Sequence, residues 1–144
     1  MRRLILSWFL SSAVMFGLSY LWHAYLLTDI NDVTYPLSMF LILAAMVYVM
    51  IGGVLYGALS YLVNNSLIDL KTNFPLKSMA VGAVVGFCFY LITFILGLSF
   101  NPHGVEHIIA DFMWQMCEQS IGGLVISLVF IYDARKAQLE HEGA

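Results

Sequence analysis

Charge is what this sequence has least of. Asp, Glu, Lys and Arg make up 10% of its 144 residues, against 61% hydrophobic. No soluble core in a chain of single-domain length needs that much apolar surface. Cysteine is nearly absent: Cys88 and Cys117 each fall near the middle of an apolar run. There they read as small packing residues, which excludes a disulfide framework. Proline is rare too, and Pro36, Pro75 and Pro102 all stand where apolar runs begin. A missing N–H costs nothing at a helix start, so no proline is placed to kink a helix. Nucleotide loops, nucleophile elbows, zinc-protease helices and paired-cysteine motifs do not occur, nor does a basic patch suited to nucleic acid. These absences make a non-enzymatic protein without a cofactor the first expectation.

Long apolar runs are what the chain does have. They cover residues 4–27, 37–63, 79–100 and 106–132, and each reaches the roughly 20 residues that carry a helix across a bilayer. The pattern predicts a single all-α integral membrane domain over 1–144, a four-transmembrane-helix bundle in contact with lipid. The polar tail 133–144 is expected to continue the last helix briefly and then fray. A basic start before an apolar run resembles a secretory signal. This run is longer than the usual signal core and no convincing cleavage site follows it, so it reads as a retained helix.

The few cations are one-sided. Arg2 and Arg3 precede span one, Lys71 and Lys77 lie between spans two and three, and Arg135 and Lys136 follow span four. The opposite connections carry Asp29, Asp32 and Glu106 and no cation. Positive charge is retained on the cytoplasmic side during insertion, which puts both termini in the cytoplasm, with a bacterial inner membrane as the expected compartment.

Short stretches recur. Gly17-Leu18-Ser19-Tyr20 with His23 returns as Gly97-Leu98-Ser99-Phe100 with His103, and Ile51-Gly52-Gly53 returns as Ile121-Gly122-Gly123. A true duplication would make two parallel helical hairpins related by an axis along the membrane normal. Gly53 and Gly57 in span two, and Gly82 and Gly86 in span three, have the small-x-x-x-small spacing that lets helix backbones approach closely. Packing within one monomer is favoured over a seam between two copies.

Span four carries the polar residues. At 100° per residue, His103, His107, Asp111, Trp114, Glu118 and Gly122 share one broad stripe, which should face protein. Glu118 lies about 10 Å deeper than Asp111, at 1.5 Å per residue, near the bilayer midplane. A charge at that depth costs at least about 2.5 to 3.5 kcal/mol, which argues for a bundle interior, a partner or protonation. Glu118, Gln115, Asp111 and Tyr48 are therefore candidates for a proton or substrate site. Tyr48 is the counterpart of Glu118 under the duplication and a ready hydrogen-bond donor. The competing role for Glu118 is structural, as a hydrogen-bonded tie between helices.

At the outer rim His103, His107 and Asp111 stack on one helical face at i, i+4 and i+8, a spacing by which helices offer metal ligands. His23, with His103 or His107, would make an axial pair for a haem. The simpler reading of each is a hydrogen bond to a neighbouring helix. Trp22 beside His23 reads as an interfacial anchor, and Trp8, Phe16, Tyr20, Tyr56 and Phe89 as packing. Asn101 before Pro102 is a candidate helix cap, starting span four near His103.

Three functions follow in order. The first is a small subunit or accessory factor of a membrane assembly, with a membrane-protein partner or a second copy beside it. The second is a proton-coupled transporter or conductor using Glu118. The third is a haem- or metal-binding redox protein using His23.

Overall fold

The computed structural model describes residues 2–27, 30, 36–70, 72–96 and 104–142. Helix α1 runs Arg2–Leu21 and passes directly into a π-helical turn, Trp22–Leu26. Helix α2 is Leu37–Asn64, α3 is Phe74–Ile95 and α4 is Val105–Glu142. All four are long and apolar enough to cross a membrane.

Two boundaries differ from those read in the sequence. Helix α3 begins at Phe74, ahead of the expected residue 79. Asn73, in the left-handed region at φ 52°, turns the chain, and Pro75 sits in the first turn, where its ring favours helix. The extra turn buries Phe74 completely beneath Phe130, ring centroids 6.1 Å apart. Helix α4 continues past the apolar run, as expected, but as far as Glu142, 38 residues in all. Its last stretch, from Ala134 to Glu140, is rich in strong helix formers. Lys136 Nζ and Glu140 Oε1, one turn apart, are 3.9 Å apart. At the other end α4 starts at Val105, after Gly104 at φ 87°, where glycine alone bends without strain. The cap candidate Asn101, together with Pro102 and the repeat segment 97–100, lies outside the described residues.

Helix α4 is the centre of the bundle. It packs most intimately on α3 and also along α1, while α1 packs on α2; α2 touches α3 and α4 lightly. A two-fold axis between the hairpins would make the α1–α4 and α3–α2 interfaces equivalent, and they are not. Close approach explains the difference. A Cβ on Gly82 would strike the Gln119 backbone, and one on Gly123 would strike the Ser78 carbonyl, so α3 and α4 meet backbone to backbone. Without a hydrophobic force between helices in lipid, such contacts supply the van der Waals attraction that holds them.

Helix α1 uses small polar residues for the same purpose. Ser7, Ser11 and Ser19 are buried on the face that also carries Met15. Ser11 Oγ donates to the Gly122 carbonyl of α4 at 2.9 Å. Towards α2, Ser12 lies against Gly52, and Trp8 Nε1 donates to the Val49 carbonyl at 2.7 Å. Gly53 faces the Trp8 ring, whereas Gly57 has nothing within 4 Å and is exposed. The close contact of α2 is thus made by Gly52 and Gly53, adjacent residues facing one tryptophan, and not by the pair spaced four apart. Cys88 and Cys117, read as packing residues, are both exposed on the bundle surface. The apolar core of Met15, Ile51, Leu55, Leu59 and Ile126 fills the half nearer the cationic end. That end collects the start of α1 at Arg2, the start of α3 with Lys77, and Arg135 and Lys136 of α4.

Candidate functional site

Above the apolar core, towards the end away from the cations, buried polar groups gather where α1, α2 and α4 meet. The stripe of Asp111, Trp114, Glu118 and Gly122 faces α1, because these residues recur at three and four positions along one side of α4. Three of the four have a counterpart there. Gly122 lies against Ser11 and Met15, Trp114 stacks on Trp22, and Asp111 Oδ1 stands 3.7 Å from His23 Nε2. One turn of α4 offers a second set to α3: Gln119 is fully buried against Gly86 and Gly82, and a Cβ on Gly86 would come 2.8 Å from the Gln115 carbonyl.

Glu118 is the deepest of these groups, with no solvent exposure. Tyr48 of α2, itself buried, brings its phenol within reach of the carboxyl, with Ser19 of α1 beside the phenol and the Trp114 indole on the carboxyl's other flank. Gln119 Nε2 adds a long bond, donating to Glu118 Oε1 at 3.4 Å. Glu118 Oε2, Gln119 Oε1 and Trp114 Nε1 are buried and close no hydrogen bond. Orphaned polar atoms in the interior cost about 1 to 3 kcal/mol each, so each calls for an explanation.

The π-helical turn shapes the outer part of the site. Leu27 N–H donates to the Trp22 carbonyl at 3.0 Å, closing the wide turn. Turns of this kind are rare and concentrate at functional sites. Here two consecutive residues both engage α4: Trp22 lies parallel to Trp114, with ring centroids 4.3 Å apart, and His23 reaches Asp111. Trp22 thus packs through its ring and keeps a buried, unbonded Nε1. Asp111 and His23 side chains keep 28% and 29% of their exposure, so the pair is partly exposed at the surface of the bundle. Tyr90 Oη donates to the Ile108 carbonyl at 2.9 Å and ties the far end of α3 to the first turns of α4.

The metal and haem candidates are placed less closely. His103 lies outside the described residues, and His107 is partly buried on α4 with a contact of its own. Among the described residues no three of His, Cys, Asp and Glu come together as a metal site. Sequence reasoning missed Ser19, Gln119 and the Trp22–Trp114 stack. Ser19 was visible in the four-residue spacing of Ser7, Ser11, Met15 and Ser19, a serine stripe interrupted by one methionine inside an apolar run. No local pattern announces a stack between residues so far apart in sequence. No family model matches the chain, and neither a curated protein nor a solved structure matches it.

Proposed function

We propose that this chain is a small non-enzymatic integral membrane protein that exchanges a proton at Glu118 within its bundle. The observation that carries this reading is the Glu118 carboxyl, fully buried, with the Tyr48 phenol of α2 within reach, and holding Oε2 without a hydrogen bond. A carboxyl kept only as a tie between helices gains most by saturating both oxygens. An oxygen left open is where the carboxylate accepts a proton and where the resulting O–H releases it. The partly exposed His23–Asp111 pair supplies the way in, about 10 Å along α4 from Glu118. The Tyr48 hydroxyl can donate to the carboxylate or accept from the neutral acid, so it serves both states. In this reading the cationic end faces the cytoplasm of a bacterial inner membrane, and the His23–Asp111 rim faces outward.

Proteoliposomes carrying a pH-sensitive dye test it. Wild-type protein should dissipate an imposed proton gradient faster than empty vesicles. Glu118→Gln should abolish the difference, and Tyr48→Phe should slow the flux. Wild-type vesicles indistinguishable from empty ones would remove the proton role and leave Glu118 as a structural residue.

A second reading, a subunit or accessory factor, draws on α4. At 1.5 Å per residue its 38 residues span about 57 Å, well beyond a hydrocarbon core of about 30 Å. The projecting segment past Asp133 would offer a partner a helical surface. Crosslinking from Leu139, which is 68% exposed, distinguishes a partner protein or a second copy from a free end.

A further inference from the structure

We propose that the groove between α1 and α4 at the cationic end of the bundle binds one acyl chain of an anionic phospholipid. The groove has a volume of about 540 Å³. Leu6, Leu10 and Val14 form one wall, a single stripe of α1 at four-residue spacing, and Val125, Leu128 and Val129 of α4 form the other. Its polar groups are confined to one end, where Tyr132, Asp133 and Lys136 close the lining.

Length selects the occupant. Leu6 to Val14 covers about 12 Å of helix, and Val125 to Lys136 about 16 Å. One leaflet is half of a core about 30 Å thick, so the groove runs the depth of a single leaflet. Behind its inner part the two helices close on each other through Ser11, Met15 and Gly122. A transmembrane helix of a partner or a second copy needs a surface that continues through both leaflets. An acyl chain needs only this one, with its headgroup at the mouth.

Charge selects the headgroup. The cation in the mouth is Lys136. Lys136 is 42% exposed and its contact to Glu140 is loose at 3.9 Å, so its ammonium is available to a phosphate. Asp133 is occupied by an interaction of its own. Basic sites between helices at the cytoplasmic surface are suited to anionic lipid headgroups.

The test reconstitutes the full chain in nanodiscs of equimolar phosphatidylglycerol and phosphatidylcholine with matched acyl chains, extracts it in mild detergent, and counts the retained lipid by mass spectrometry. Phosphatidylglycerol should be retained several-fold over phosphatidylcholine. Lys136→Glu should bring that ratio to about one. Leu10→Trp and Val129→Trp, which fill the groove, should lower retention of both lipids. Leu10 and Lys136 are partly exposed, so at least these two variants should stay monodisperse and helical. Equal retention of the two lipids by wild type, or retention unaltered in Lys136→Glu and Leu10→Trp, would overturn the proposal. So would a dimer that Leu10→Trp dissociates, since the groove would then belong to a second copy.

Discussion

Trp22 and Trp114 lie face to face across the α1–α4 interface, their planes 6° from parallel. The stack couples the π-helical turn of α1 to the stripe of α4 that carries Asp111 and Glu118. Trp114→Ala should destabilise the protein by about 3 kcal/mol, the lower range for a packed aromatic because the site is only partly buried. A double-mutant cycle with Trp22→Ala should return a coupling of about 1 kcal/mol. Unfolding by denaturing detergent in mixed micelles measures both, and additive losses would mean that the rings pack independently.

Glycines in the bundle should differ sharply in tolerance. Gly82→Leu places a side chain against the Gln119 backbone, which cannot move without shifting α4, and should cost about 2 kcal/mol or more. Gly57→Leu adds a side chain to an exposed, open position and should be nearly neutral. Thermal aggregation of the detergent-solubilised variants ranks them, and equal midpoints for the two would contradict the backbone contact.

Substitutions at Glu118 separate its charge from its shape. Glu118→Gln keeps the volume and supplies an amide that can bond Tyr48, so folding should change by less than about 1 kcal/mol. Glu118→Lys puts a cation where the described interior offers no acid beside it, at an insertion cost of at least about 2.5 to 3.5 kcal/mol. Its yield in the membrane fraction should drop accordingly. Robust insertion of the lysine variant would show that this part of α4 reaches water.

Topology follows from the one-sided cations. Reporter fusions after Ala144, or within Asn64 to Lys77, should give the cytoplasmic signal. Fusions within Thr28 to Pro36 should give the signal of the other side. A C-terminal reporter active only on the far side would reverse every depth assigned to His23, Asp111 and Glu118.

What the sequence determined by itself is the class of the molecule and the residues under tension in it. Hydrocarbon solvent forces every backbone polar group into a helix, so four apolar runs become four helices whatever else the chain does. A carboxyl in the middle of the last run must then face protein, because lipid cannot solvate it. Both deductions need only length, hydropathy and position along the chain. Helix ends were less legible, since Phe74 is helical for the sake of Phe130 and the end of α4 continues on propensity beyond the apolar run.

Tertiary structure decided which residues meet. Apolar side chains are interchangeable towards lipid, so hydropathy says little about which face of a helix touches which neighbour. Contact depends on where backbones can approach, and that is a property of two surfaces together. Gly82 and Gly123 are contact glycines because Gln119 and Ser78 lie opposite them, while Gly57, with the same spacing signal, meets nothing. The same physics joins His23 to Asp111, Trp22 to Trp114 and Tyr48 to Glu118. Each pair is distant in the chain, and only the packing of α1, α2 and α4 around one buried carboxyl brings its members together.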